Sequence, residues 1–291
     1  MSQCENLCKA LESKSIVKVC GAYDSMSAKL VELYGFDAVW AGSFAISAIH
    51  NVPDASILTM TEFFTAASNM ANACEIPVIA DCDTGYGDAT NVRYMVKKYE
   101  NAGIAGICIE DKTFPKQNSL LEGGNNQLLS EKDFAAKILA ANEAKQNKAF
   151  TVIARIEALI SGTGIEQALQ RAFAYEKAGA DLILIHSKKI SPEEIFEFSD
   201  LWKGSVPLVV IPTTYYSVNV DELIEHKIKM VIYANQTLRA AHLALSKLLK
   251  QMKDANNMSQ VQNQMSSMDD IFKLQETVSY THLTLPTILL V

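Results

Sequence analysis

The chain lacks several features that mark common classes of protein. Its six cysteines include no CxxC spacing, and Cys82 and Cys108 fall within apparent strands, where free thiols act as small hydrophobic residues. No long basic run occurs and the net charge is −7, so no nucleic-acid partner is expected. The polar N-terminus has no continuous apolar segment, which predicts that no signal peptide is present. These absences favour a reducing, cytoplasmic compartment and no membrane partner.

The composition is that of a folded globular protein. The 291 residues are enough for one large α/β domain or two small ones. Hydrophobic residues make up 49% and charged residues 20%, so a sizeable core is expected and disorder is not. A small anionic substrate remains compatible with the negative net charge, because a local cluster of Arg, Lys or metal outweighs the global sign.

Short apolar runs alternate with amphipathic segments of helix length along most of the chain. Repeated strand–helix units indicate a parallel sheet, and eight of them predict a closed (β/α)8 barrel, with a doubly wound open sheet as the alternative. The predicted strands are Val17–Cys20, Ala38–Trp40, Val78–Ala80, Gly106–Ile109, Val152–Ala154, Leu182–Ile185, Leu208–Ile211 and Met230–Tyr233.

Polar or functional side chains follow almost every predicted strand. In (β/α)8 barrels the active site lies at the carboxyl ends of the strands. A hydrophobic core alone does not explain so many polar side chains at the carboxyl ends of the strands, so these residues are interpreted as parts of one functional site. The residues are Trp40, Asp81, Asp83, Glu110, Arg155, Glu157, His186, Thr213 and Asn235.

Three carboxylates at the ends of two neighbouring strands favour a metal site. Asp81 and Asp83 leave the third strand at positions i and i+2, so they point the same way, and Glu110 ends the fourth strand. Their hard oxygen donors suit Mg²⁺. An EF-hand is excluded, because Gly85 replaces the expected Asp or Asn and no Glu follows at the twelfth position. The alternative interpretation is a polar turn between strand and helix.

A polar loop follows Glu110 and predicts a lid over this site. It carries Lys116, Asn118 and Ser119, which composition alone would place in solvent. For three other candidates the residues alone leave two interpretations open. Asp54 is either a turn residue or a site acid, and His186 lies either in the core or in the site. Arg155 either forms an ion pair with Glu157 or Glu110 or binds an anion.

The lid sequence EDKTFPKQNS (110–119) closely resembles the gating-loop motif of phosphoenolpyruvate phosphonomutases, in the isocitrate lyase/phosphoenolpyruvate mutase superfamily. DCDTGYG (81–87) also matches the metal motif of that superfamily, and the resemblance covers roughly residues 14–275. It implies a single barrel domain over residues 1–276 with a gating loop at 112–129. It further implies a dimer of dimers whose C-terminal helix, starting near Ile271–Gln275, is exchanged between subunits.

The resemblance implies a role for each candidate residue. Asp54 would be essential beside metal and substrate, and Arg155, His186 and Asn118 would hold the transferred phosphoryl group. Lys116 and Ser119 would act from the lid. Mg²⁺ would be held by Asp81, Asp83 and Glu110. The loop that binds substrate oxygens through backbone amides would comprise Trp40, Gly42, Ser43 and Phe44, in which Gly and Ser are swapped against some relatives and Phe44 replaces a Leu.

Two branches of the superfamily separate at the lid. The carbon–carbon lyases carry a catalytic Cys where this chain reads Lys116-Gln117-Asn118-Ser119, so a lyase is not expected. Phosphonopyruvate hydrolases share the segment 52–58 but tend to carry Thr at the position of Asn118. The resemblance therefore implies a mutase that interconverts phosphoenolpyruvate and 3-phosphonopyruvate, with the hydrolase as the alternative. A regulatory barrel without catalysis would have lost at least one of Asp54, Asp81, Glu110 or Arg155, and all four are present.

The last fifteen residues differ from everything before them. Residues 277–291 contain no Asp, Glu, Lys or Arg, and the segment is too short and too rich in Thr for a transmembrane helix. It resembles the translated read-through of a sequencing adapter. We therefore expect a non-native tail and exclude it from the fold.

Overall fold

The computed structural model describes residues 2–124 and 126–275. Eight strands alternate with helices, and the predicted strands are confirmed with small changes at their ends. The strands are β1 (Val17–Ala22), β2 (Ala38–Ala41), β3 (Val78–Asp81), β4 (Gly106–Glu110), β5 (Thr151–Ile156), β6 (Leu182–Ile185), β7 (Leu208–Val210) and β8 (Ile228–Tyr233).

Helices lie between successive strands, and several of them begin with a side-chain cap. Asp88, for example, accepts hydrogen bonds from Thr90 N and Asn91 N at the start of the fifth helix. The helices are α1 (Gln3–Ser13), α2 (Ser25–Leu33), α3 (Ser43–Ile49), α4 (Met60–Ala73), α5 (Ala89–Asn101), α6 (Glu131–Ala144), α7 (Ala158–Ser161), α8 (Gly164–Lys177), α9 (Glu193–Leu201), α10 (Val220–Glu225), α11 (Gln236–Asp254) and α12 (Met268–Leu274).

The sheet closes into a parallel barrel. Each strand pairs with the next along the chain, and β1 completes the ring by pairing with β8, with Val17 opposite Met230 and Cys20 opposite Tyr233. The predicted (β/α)8 barrel is therefore confirmed, and the open sheet is excluded. Because all strands run the same way, their carboxyl ends share one face of the barrel.

Side chains pack on both surfaces of the strands. One cluster fills the barrel interior with residues such as Val19, Trp40 and Ile153, and a larger cluster lies between the strands and the helices. Leu7 of α1 is fully buried within the interior cluster, so α1 covers the amino-terminal end of the barrel. The carboxyl-terminal end of the barrel is not covered by α1 and is available for a functional site.

The predicted lid is a loop with a paired neck. Lys112 and Leu128 form an isolated antiparallel bridge, Thr113 N donates to Gln127 O at 2.9 Å, and Leu129 N donates to Asp111 O at 2.8 Å. These bonds bring the two ends of the loop together between β4 and α6. Residues between the ends are consequently free to reach across the barrel mouth.

The chain divides into two compact units at Leu238/Arg239. The first contains the barrel, and the described part of the second contains most of α11, two 3₁₀ turns and α12. Residue 276 and the tail at 277–291 lie outside the described residues, so the domain boundaries and the exchange of the C-terminal helix stay predictions. No helix in the described ranges combines the length and the hydropathy needed to cross a bilayer.

Candidate active site

A cavity of about 510 Å³ opens at the carboxyl end of the barrel. Its wall contains all of the predicted site residues except Asp83, Glu110 and Glu157, which form ion pairs with wall residues. The predicted residues that line it are Trp40, Gly42, Ser43, Phe44, Asp54, Asp81, Lys116, Asn118, Ser119, Arg155, His186, Thr213 and Asn235. The sequence motifs therefore meet in one place.

Strand topology explains this convergence. Asp81 ends β3, Glu110 ends β4, and His186 directly follows β6. Glu110 pairs with Arg155 in the β4–β5 register, which places the acid and the guanidinium on adjacent strands. Parallel register thus brings together side chains that are far apart in sequence.

Lys116 extends from the lid into a group of carboxylates. Its Nζ lies 2.9 Å from Asp54 Oδ1 and 2.7 Å from Asp83 Oδ1, and it donates to Ser43 Oγ at 3.2 Å. Burial acts to lower the pKa of Lys116, but the surrounding carboxylates, Asp83 first, outweigh it and raise the pKa well above its ordinary range. With only 5% of its surface exposed, Lys116 is a buried cation.

The two carboxylates beside Lys116 differ in character. Burial raises the pKa of Asp83 to about 7, against the lowering effect of Lys116. For Asp54, burial acts in the same direction, but Lys116 and the Asn118 amide outweigh it and hold the pKa below its ordinary value. Asp83 also has a φ of +50°, a left-handed conformation that Asp tolerates better than most residues.

The predicted metal ligands have donors that suit Mg²⁺. Asp81, Asp83 and Glu110 offer only carboxylate oxygens, and Glu110 Oε1 is buried without a hydrogen-bond partner. Among the described residues, no three His, Cys, Asp or Glu side chains are drawn together closely enough to form a metal cage. The donor set therefore fits Mg²⁺ chemically, and Lys116 lies among the same carboxylates.

A second charged cluster lies beside the first. Arg155 Nε hydrogen-bonds to Glu157 Oε1 and lies 3.3 Å from Glu110 Oε2, so both ion pairs left open by the sequence are present. Arg155 Nη2 lies 2.9 Å from His186 Nδ1, and His186 Nδ1 lies 2.8 Å from Glu157 Oε1. Burial lowers the pKa of His186 below its ordinary value, whereas the Arg155 guanidinium and His186 hold the pKa of Glu157 well below its ordinary range despite burial.

The lid reaches both clusters. Asn118 Nδ2 donates to Asp54 Oδ2 at 2.8 Å, and Ser119 Oγ donates to Glu157 Oε2 at 2.7 Å. Lys116 and Ser119 are each 5% exposed, so the interpretation of these two side chains as solvated surface groups is wrong. Composition suggested solvent, but the buried charges of the barrel hold them inside.

The segment after β2 forms one wall of the cavity. Gly42 precedes α3, and a Cβ there would lie 2.9 Å from Trp40 Cδ1, so glycine lets the backbone approach the indole. Ser43 N and Ser43 Oγ both contact Asp81 Oδ2, at 3.3 and 2.9 Å. Phe44 is 41% exposed at the cavity. Binding of substrate oxygens by the amides stays a prediction.

Two buried residues were given no individual role in the site by the resemblance. Glu157 was predicted only as one of the polar residues at the strand ends and as a possible partner of Arg155, and Lys112 only as part of the lid motif. Lys112 Nζ donates to Ser119 Oγ at 2.6 Å and lies 3.4 Å from Glu157 Oε2. A signal for Glu157 was present, because it stands two residues after Arg155 at a strand end, the same spacing as Asp81 and Asp83.

Comparison with known proteins agrees with the resemblance. The family model described as phosphoenolpyruvate phosphomutase matches residues 7–253. The chain is 41% identical to the phosphonopyruvate hydrolase of Variovorax sp. (strain Pal2) over 276 residues, which is 94% of this chain and 95% of the relative.

Solved structures give the same result. The crystal structure of phosphoenolpyruvate phosphomutase from Streptomyces platensis subsp. rosaceus has a TM-score of 0.94 and 42% identity, covering 96% of this chain and 97% of that one. A phosphonopyruvate hydrolase in complex with oxalate and Mg²⁺ has a TM-score of 0.91 and 38% identity, covering 97% and 98%. The chain therefore belongs to the phosphoenolpyruvate phosphomutase family, within the isocitrate lyase/phosphoenolpyruvate mutase superfamily.

Proposed function

We propose that this enzyme is a phosphoenolpyruvate phosphonomutase, which interconverts phosphoenolpyruvate and 3-phosphonopyruvate. The observation that carries the proposal is the 2.8 Å hydrogen bond from Asn118 of the lid to Asp54, which follows α3 and lines the same cavity. A mutase must keep water away from the phosphoryl group between its two bonds, and a lid fastened across the cavity serves that need.

The reaction moves one phosphoryl group within a single substrate. The bond between phosphorus and the enol oxygen breaks, and its electron pair stays on that oxygen. The enolate then attacks phosphorus through C3, which forms the C–P bond and restores the C2 carbonyl. No proton is gained or lost, so the site has to stabilise an enolate and hold a metaphosphate-like group in place.

The described side chains match these two tasks. Arg155 and His186 are assigned to the phosphoryl group from the second charged cluster, where the guanidinium offers N–H donors, with Asn118 closing over it from the lid. Lys116 supplies positive charge beside Asp54. Asp54 acts either as a transient phosphoryl acceptor or as an electrostatic guide.

The proposed function also requires a divalent metal ion to stabilise the enolate. Asp81, Asp83 and Glu110 would hold Mg²⁺, which when bound supplies Lewis-acid stabilisation of enolate charge. The buried Glu110 Oε1 without a hydrogen-bond partner is the observation that favours a cation at these oxygens.

The second candidate is a phosphonopyruvate hydrolase. It is favoured by the 41% identity to the Variovorax hydrolase. In that reaction the oxygen of a water molecule bonds to phosphorus and the C–P bond breaks. The enolate then takes up a proton at C3, which gives pyruvate and phosphate. The two candidates thus differ only in the acceptor of the phosphoryl group. In the mutase the group passes between C3 and the enol oxygen, whereas in the hydrolase it passes from C3 to water.

³¹P NMR of the purified protein with Mg²⁺ and phosphonopyruvate separates the candidates. We expect a phosphoenolpyruvate resonance to appear, and inorganic phosphate appearing without it would establish the hydrolase instead. Asp54→Asn should lose either activity, which controls for contaminating phosphatases.

Asn118→Thr tests water exclusion directly, because it removes the amide that reaches Asp54. Phosphate release should rise at the expense of phosphoenolpyruvate, as read from the same spectra. Asn126→Thr is the matched control, since Asn126 lies in the same loop but does not line the cavity. Equal product ratios in both variants would contradict the role given to Asn118.

A further inference from the structure

Glu157 joins more partners of the site than any other acid described above, although it does not line the cavity. Its side chain is fully buried. Oε1 accepts from Arg155 Nε and lies 2.8 Å from His186 Nδ1. Oε2 accepts from Ser119 Oγ at 2.7 Å and lies 3.4 Å from Lys112 Nζ. One oxygen therefore faces the barrel strands, and the other faces the lid.

The contacts of Glu157 Oε1 fix the orientation of Arg155 and His186, the two side chains assigned to the phosphoryl group. A guanidinium held at Nε has its remaining N–H groups directed by that bond, and an imidazole held at Nδ1 has its ring plane set. Ser119 Oγ also accepts from Arg155 Nη2 at 3.3 Å. The lid hydroxyl thus touches both the carboxylate and the guanidinium that the carboxylate orients.

The backbone of Glu157 is held from the other side. Its N–H donates to Asp111 Oδ1 at 2.9 Å, and Asp111 Oδ2 accepts from Arg171 Nη1 at 2.9 Å and from Tyr175 OH at 2.8 Å. Arg171 Nη2 in turn donates to the carbonyl of Leu129, where the lid returns to α6. Glu157 is connected to the lid at its middle and at its end.

We propose that Glu157 is a positioning residue that couples closure of the lid to the orientation of Arg155 and His186. The inference rests on the proposed function, since it assigns those two side chains to the phosphoryl group. With the lid closed, Ser119 and Lys112 hold Oε2 and leave Oε1 fixed toward Arg155 and His186. When the lid opens, Ser119 leaves, and the carboxylate turns freely between its cationic neighbours.

A purely structural role makes a different prediction. If Glu157 only neutralised Arg155, Glu157→Gln would lower kcat but leave lid opening unchanged. Coupling through one carboxylate predicts that the same substitution also opens the lid, and that its effect on opening overlaps with that of Ser119→Ala, because either change breaks the same connection. Lid opening in Glu157→Gln therefore separates the two accounts.

The experiment compares Glu157→Gln, Ser119→Ala and their combination. Trypsin cleavage after Lys116, identified by fragment mass, reports lid opening, because that side chain is buried in the closed lid. With Mg²⁺ and oxalate as the probe, we expect each single variant to be cut about tenfold faster than wild type. The double variant should be cut no faster than the worse single one.

Kinetics with phosphonopyruvate supply the second readout. Glu157→Gln should lower kcat/KM about 100-fold, mostly through kcat, because misplaced donors cost most during transfer. Glu176→Gln is the control: Glu176 accepts from Ser205 N and Oγ before β7, at the other end of the barrel. It should change neither readout.

Several results would overturn the coupling. Wild-type cleavage in Glu157→Gln would do so whatever its kcat, as would a wild-type kcat, or losses that multiply in the double variant. Should Glu157→Gln not fold, Lys112→Met replaces it beside Ser119→Ala, with the same expectations. The trypsin readout needs only Mg²⁺ and oxalate, so it tests lid coupling even if ³¹P NMR shows a hydrolase or no turnover.

Discussion

Arg171 links the end of the lid to the carboxylate behind the site, and its replacement by methionine tests that link. Arg171 Nη1 donates to Asp111 Oδ2 and to Tyr175 OH, both at 2.9 Å, and Nη2 donates to Leu129 O at 3.0 Å. Arg171→Met keeps the aliphatic stem but leaves the fully buried Asp111 with its charge uncompensated. Removing one partner of a buried ion pair costs about 3–5 kcal/mol.

The expected loss in free energy of unfolding is therefore about 3 kcal/mol, measured by urea unfolding, or a decrease in Tm of about 6–12 °C. Arg93→Met is the matched control, because the Arg93–Glu143 pair is 44% and 51% exposed and should contribute less than about 1 kcal/mol.

Adding Asp111→Asn to Arg171→Met should restore part of the loss. Both charges are then gone, and Asn can still accept the hydrogen bond from Glu157 N. We expect a coupling of about 1–2 kcal/mol between the two sites. An Arg171→Met loss as small as that of the surface control would refute the reasoning, and so would a double variant whose loss equals the sum of the single losses.

Two further predictions concern the barrel and the site. Gly21→Ala should lower the free energy of unfolding in urea by about 3 kcal/mol, because the new Cβ would lie 2.1 Å from Ala234 O. Gly103→Ala is the control: it has open space at φ +81° and should cost only about 1 kcal/mol. Equal losses in the two variants would contradict this prediction. Burial lowers the pKa of His186 in the folded state below its ordinary value of 6.5, so the unfolded chain binds a proton more readily at this residue. The contribution of His186 to stability is therefore present above pH 6.5 and is lost as pH falls through the folded-state pKa. The stability difference between wild type and His186→Gln should therefore shrink from pH 7.5 to pH 5.5, and parallel curves would argue against a neutral buried imidazole.

The fold was largely predictable because each strand is a short apolar run between helical segments. Leu182–Ile185 has the predicted bounds, and no end of any other strand differs by more than two residues. Leu208–Ile211 was predicted one residue too long, since the Ile211 carbonyl accepts from Thr213 N in a turn and so leaves the strand ladder. Periodicity marks where a strand lies, but the last hydrogen bond of its ladder depends on neighbours that the local sequence does not show.

The site was predictable where it follows from topology and less so where it depends on the lid. Asp81, Glu110 and His186 converge because parallel strands end on one face. The direction of Lys116 has no periodic signal, because it is set by carboxylates from two separate segments, Asp54 and Asp83. Only the family resemblance directed attention to it.

The lid spacing explains how one movement serves two charge clusters. Lys116 contacts the carboxylates on the predicted metal side, and Ser119, three residues later, contacts Glu157 on the predicted phosphoryl side. Arg155 already joins the two clusters through Glu110 at 3.3 Å. Opening the lid would therefore remove Lys116 from Asp83 and Ser119 from Glu157 together. A substitution at either cluster is expected to weaken lid closure and, through it, to affect the other cluster.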